Sequence, residues 1–100
     1  VRVIYTNAAV QDLTDVWTYT QRAWSTKRAD VYYRALIKSV HHIQQRPLIG
    51  RSYTEIWADL WGLPSGSHLI LYRILPHDIL EITRFVHQSM DLSQLNPGGS

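Results

Sequence analysis

The chain carries five histidines, no cysteine and no acidic cluster, so its possible chemistry is narrow. Without cysteine, thiolate metal sites and disulfides are excluded. His41 and His42 are consecutive on a helical stretch and point in different directions, so they cannot close on one metal ion. His77 stands beside Asp78 in a turn sequence and reads as solvated. No other spacing suits a metal, and neither metal nor cofactor is expected. His68 and His87 remain. With Tyr72 they either form a site or join the ends of adjacent strands through hydrogen bonds.

Two cations sit in apolar surroundings. Arg84 falls in alternation with Leu80, Ile82 and Val86, and Arg73 with Leu71 and Leu75. A charge on such a face is costly unless it is paired. An ion pair with Glu55 or Asp91 is one reading and a binding role is the other. Trp57 and Trp61 read as sharing one strand face with Asp59 and Leu63. They are either interface anchors or core packing. Arg22, Lys27, Arg28, Arg34 and Lys38 cluster on the helical half, as a solvated face or as a surface for an acidic partner.

These residues need elements to hold them. Val1–Thr6 is β-branched and aromatic and predicts a strand. Asn7 reads as an N-cap for a helix over Ala8–Trp24, with Val10, Leu13, Trp17 and Trp24 at helical spacing. Ser25 reads as a second N-cap. Ala29, Tyr32, Leu36, Val40 and Ile43 then form one apolar stripe, which Pro47 stops. So short a link makes the two helices an antiparallel hairpin. A loop from Pro47 to Thr54 follows, with Gly50 supplying its turn. Strands are predicted at Ile56–Leu63, Ser67–Leu75 and Ile79–His87, separated by Pro64-Ser65-Gly66 and Pro76-His77-Asp78. The fold class is therefore α+β. A β-α-α-β-β-β order packs a helix hairpin in two layers on a small, mostly antiparallel sheet. The first strand's neighbour is left open. Residues 93–100, ending in Pro97-Gly98-Gly99-Ser100, read as a flexible tail after one domain at 1–92.

At 100 residues the chain suits one modest core. Its 45% hydrophobic and 18% charged content argue against general disorder. No apolar run reaches the roughly 20 residues of a membrane span, and no signal peptide or membrane role is expected. A formal net charge of +2 is too small to argue for nucleic acid, and no direct DNA binding is expected.

Two runs carry a resemblance. Leu63-Pro64-Ser65-Gly66-Ser67-His68, ending in Tyr72-Arg73, is similar to the "LPSGSHxxxYR" run of ParE toxins in the RelE/ParE toxin–antitoxin superfamily. Ile82-Thr83-Arg84-Phe85-Val86-His87, closing on Met90-Asp91, resembles their "IxRxLHxxMD" ending. Ala9, Asp12, Leu13, Tyr19 and Trp24 match the first helix, and Arg46-Pro47-Leu48-Ile49-Gly50 resembles the "xPxxG" before the sheet. The resemblance implies a plasmid-stabilisation toxin of the bacterial cytoplasm. It implies a ParD-like antitoxin as partner and DNA gyrase as target, engaged by binding rather than catalysis. The expected target or antitoxin surface is Trp57, Leu60, Trp61, His68, Tyr72, Arg73, Arg84, His87, Met90 and Asp91. RelE relatives instead cut messenger RNA on the ribosome, which needs cations on the phosphate beside an acid and a base. Beyond the loop the sheet half holds only Arg73 and Arg84 and no lysine. Glu55, Arg73 and His87 could imitate the sparser Glu, Arg and His set of the YoeB branch. The largest departure from ParE relatives is Asp59-Leu60-Trp61-Gly62, where they usually read "GYRK".

Overall fold

The computed structural model describes residues 1–95. Strand β1 (Arg2–Tyr5) leads into helices α1 (Asn7–Ala23) and α2 (Thr26–Gln45). After a 3-10 turn (Pro47–Ile49) come β2 (Arg51–Ser52), β3 (Leu60–Ser65), β4 (His68–Leu75) and β5 (Ile79–His87). A second 3-10 turn covers Leu92–Gln94. The five strands form one sheet in the order β1-β5-β4-β3-β2. β3, β4 and β5 make the expected antiparallel meander. β1 joins it parallel to β5, so the sheet is mixed. The two-layer α+β arrangement is as expected; β2, a short edge strand, is additional.

The helix caps follow from side-chain oxygens. Thr6, not Asn7, caps α1 and accepts from Ala9 N–H. Ser25 caps α2 and accepts from Arg28 N–H, as expected. The α2 stripe of Ala29, Leu36, Val40 and Ile43 is buried as its spacing requires. In α1 the face differs: Ala9, Leu13 and Val16 meet the sheet, whereas Val10 and Trp24 are exposed.

The sheet has an apolar cluster on each side. On the helix side Leu36, Val40, Ile43, Ile70, Tyr72, Leu80, Ile82 and Phe85 close the main core. On the far side Leu60, Leu69, Leu71, Val86 and Leu95 form a second cluster, covered by Tyr53, Ile56, Trp57, Met90 and Leu92. The 3-10 turn at Leu92–Gln94 and the burial of Leu95 carry the packed chain past residue 92. The remainder of the expected tail, 96–100, lies outside the described residues.

Three strand expectations change. β3 continues past Leu63 through Pro64 and Ser65, which pair with Leu69 and His68 instead of forming the turn. β3 begins at Leu60, not Ile56, because Asp59 takes a left-handed backbone (φ 63°) that breaks the strand before it. β5 carries an irregularity at Thr83: Leu71 pairs with Arg84, but the next residue, Tyr72, pairs with Ile82. This bulge shifts the alternation by one residue, so Ile82 and Phe85 both face the helices.

Candidate functional site

The bulge decides where the arginines go. Arg84 pairs with Leu71 of the far cluster and so lies off the face of Leu80 and Ile82. Its guanidinium is held by Asp12 of α1, with Nε to Oδ2 at 2.7 Å and Nη2 to Oδ1 at 3.0 Å. The partner is neither Glu55 nor Asp91. Asp12 Oδ2 also accepts from Phe85 N–H at 2.9 Å, and Thr6 Oγ1 donates to Thr83 carbonyl at 2.7 Å. β1 pairs only as far as Ile82, so α1 takes over the edge of β5 beyond it. Its hydrogen bonds to Asp12 hold Arg84 still more firmly protonated, against the opposing effect of burial. The sequence carried one signal for Asp12: it falls three residues after Ala9 and four before Val16, beside the buried face of its helix.

Arg73 is also paired, with Glu81 directly across the strand and not with Glu55. Nε meets Oε1 at 3.0 Å and Nη2 meets Oε2 at 3.1 Å, while Thr83 Oγ1 donates to Oε1 at 3.0 Å. Glu55 is exposed and lies 3.4 Å from Arg51. The Glu55, Arg73 and His87 set is not assembled. Arg73 alternates with Leu71 on the far face, whereas His87 pairs with His68 on the helix face. Along β4 the two positions are five residues apart, about 17 Å at about 3.3 Å per residue.

The expected contact surface divides similarly. Leu60 and Tyr72 are fully buried. Tyr72 Oη donates to Pro47 carbonyl at 2.6 Å and accepts from Gly50 N–H at 3.1 Å, fastening the loop to the sheet. The chain bends at Gly50, but with extended dihedrals (φ −80°, ψ −173°) and not a left-handed turn; a Cβ there would stand 2.6 Å from that hydroxyl. Trp61 stacks on Tyr72 on the helix side with centroids 6.4 Å apart, and Trp57 packs in the far cluster. The two tryptophans therefore do not share a face. Met90, like Trp57, packs against the far cluster, and Asp91 caps the last 3-10 turn through Ser93 N–H and Oγ. Those hydrogen bonds lower the Asp91 pKa.

His68 and His87 are brought together, with ring centroids 5.7 Å apart and edge to face. Tyr32 of α2 completes the group: its Oη lies 2.6 Å from His68 Nδ1 and accepts from Ser67 N–H at 2.9 Å. The β3–β4 turn permits this contact because Gly66 (φ 58°) has no Cβ, which would stand 2.7 Å from Tyr32 Oη. His87 Nδ1 accepts from Ser89 N–H at 3.1 Å, with Ser89 Oγ at 2.6 Å. Burial lowers the His68 pKa first, the neighbouring His87 lowers it further, and Asp12 opposes both. Around this group α1 and α2 complete an open cleft of about 540 Å³, lined also by Asp15, Tyr19, Thr20, Trp24 and Arg28. Of these only Arg28 figured among the binding candidates read from sequence, as part of the basic cluster. Among the described residues no three His, Asp or Glu side chains stand close enough to hold a metal ion, and no helix is long and apolar enough to cross a membrane.

Comparison with known proteins matches residues 3–92 to the family described as "ParE toxin of type II toxin-antitoxin system, parDE". The chain is similar to a protein named Toxin ParE1 from Mycobacterium tuberculosis (strain CDC 1551 / Oshkosh), 30% identical over 93 residues, 93% of this chain and 95% of that protein. It is 35% identical over 83 residues to Toxin ParE1 of Caulobacter vibrioides, covering 83% of this chain and 84% of that one. Its fold is similar to a chain of a solved structure titled "Chromosomal ParDE TA system from P. aeruginosa". There the TM-score is 0.74 at 15% identity, over 86% of this chain and 94% of that chain.

Proposed function

The chain belongs to the ParE toxins of type II toxin–antitoxin systems, and from that premise we propose that it acts by binding rather than by catalysis. The target in this reading is DNA gyrase in the bacterial cytoplasm, and a ParD-like antitoxin holds the toxin in check. One observation carries the binding reading: the arginines of β4 and β5 are each occupied bidentately by a carboxylate, Glu81 and Asp12. A guanidinium so engaged would have to give up its partner before it could hold a scissile phosphate. The antitoxin is expected on the helix hairpin, where Val10, Val31 and Tyr33 are exposed and where basic side chains such as Arg34 and Lys38 form no ion pair among the described residues.

The test has two arms. Purified protein added to a gyrase supercoiling reaction is expected to inhibit it and to leave translated message intact. Absence of inhibition at large molar excess would sink the gyrase target, and message cleavage abolished by His87→Ala would establish the nuclease. Expression without antitoxin is expected to arrest growth; unimpaired growth would identify an inactive relative.

A further inference from the structure

The cleft at the end of β4 and β5 presents donors that the protein does not use internally. In neutral His87, Nδ1 accepts from Ser89 N–H, which leaves the ring proton on Nε2. Tyr32 Oη, already accepting from Ser67 N–H, has its proton to give to His68 Nδ1, which again leaves Nε2–H. Among the described residues neither Nε2 has a hydrogen-bond partner; no buried polar atom of the half-buried residues lacks one, so the His68 Nε2 reaches solvent, and His87 is itself an exposed residue. Arg28 lies one helical turn before Tyr32 and lines the same cleft. It takes part in no ion pair among the described residues, and its guanidinium rests 4.6 Å from the Trp24 ring centroid. Trp24 (67% exposed) and Tyr19 (72% exposed) stand as an open aromatic wall. Asp15, the one carboxylate lining the cleft, has one oxygen on Gln11 Nε2 at 2.9 Å, which leaves the other as an acceptor.

We propose that this cleft binds a nucleoside monophosphate, with the phosphoryl group on Arg28, His68 and His87, the ribose hydroxyls on Asp15, and the base against Trp24 and Tyr19. The three chemistries are those such a ligand requires: cationic and N–H donors for a phosphate, a carboxylate acceptor for a sugar, and a ring face for a base. The cleft, at about 540 Å³, is within the range of small-ligand sites. The two histidines are coupled to the fold through Tyr32 and Ser89, so the donors are held before the ligand arrives.

The experiment titrates the whole chain with adenosine monophosphate, inorganic phosphate and adenosine separately, following histidine ring and tryptophan indole resonances. The monophosphate is expected to saturate while shifting His68, His87 and Trp24, with phosphate weaker and shifting the histidines alone. Arg28→Gln and Trp24→Ala, both at exposed side chains, are expected to weaken it about tenfold each without moving the unfolding midpoint. No saturable shift up to about 10 mM monophosphate would overturn the site. Phosphate binding as tightly as the monophosphate, or Arg28→Gln binding like the parent, would overturn the nucleotide assignment. Growth arrest and supercoiling are read without added monophosphate, so failure here is separable from failure of the toxin reading.

Discussion

Removing the Asp12 carboxylate tests whether α1 completes the edge of β5. Asp12 makes two bonds to Arg84 and one to Phe85 N–H, and the two side chains are only 13% and 29% exposed. In Asp12→Ala the partly buried Phe85 N–H loses its acceptor, at about 1–3 kcal/mol. Arg84 is exposed enough to turn toward water, so its lost pairing adds about 1 kcal/mol rather than the roughly 3–5 of a fully buried pair. The sum is about 2–4 kcal/mol, or a fall in Tm of roughly 10–25 °C for a domain of this size. Asp12→Asn keeps an oxygen for Phe85 N–H and is expected to cost about 1–2 kcal/mol. Arg84→Ala leaves Asp12 on the amide and is expected to cost about 0.5–1.5 kcal/mol. Urea unfolding followed by far-ultraviolet circular dichroism measures all three. The order Ala, Asn, then the arginine variant is the content of the prediction. If Arg84→Ala costs as much as Asp12→Ala, the ion pair and not the edge cap holds α1, and the reasoning fails.

Tyr72→Phe removes a hydroxyl that joins Pro47 and Gly50 while leaving the buried ring in place. A loss of about 1–3 kcal/mol is expected, with faster amide exchange at Gly50; unchanged exchange there would show that the loop is held by other contacts. His68 titrates below its ordinary value of 6.5 in the folded protein, so the unfolded chain takes up its proton first on acidification. Its contribution to stability is therefore complete above pH 6.5 and is lost as pH falls through that value toward the lowered native one. Unfolding measured against pH is expected to fall more steeply in this window for the parent than for His68→Gln, and parallel curves would contradict it.

What could be read in the residues was what is decided locally. The Ser25 cap, the α2 stripe from Ala29 to Ile43 and the stop before Pro47 each depend on neighbours within a few residues, and each is found. The chain turn at Pro76-His77-Asp78 is likewise local, with His77 and Asp78 at positive φ. The partner of Arg84 was hidden because Asp12 is 72 residues away in sequence. The face of Arg84 was misread because strict alternation cannot show a bulge, and the shift at Thr83 arises from pairing with β4. Ile56 and Trp57 read as strand because an apolar run looks alike whether it pairs in a sheet or folds over its far face.

The departure at Asp59-Leu60-Trp61-Gly62 takes a different meaning from these contacts. Asp59 makes the left-handed turn into β3, where an aspartate is tolerated better than a β-branched residue. Leu60 is fully buried in the far cluster, and Trp61 turns to the other side to stack on Tyr72. Gly62 leaves room for Tyr53, whose ring a Cβ would meet at 2.7 Å. Leu60, Trp61 and Gly62 thus have places in packing that their neighbours on both faces of the sheet accommodate, while Asp59 stays exposed at the turn. The stretch holds no cation, its one charge is the exposed Asp59 carboxylate, and it has little with which to grip a phosphate backbone. On β4 the donors not consumed by the fold lie instead at its opposite end, around His68. The physical consequence is a separation within one small domain: the β3 end of the sheet is committed to holding the layers together. On the proposed reading, recognition falls to the hairpin and to the cleft beside it.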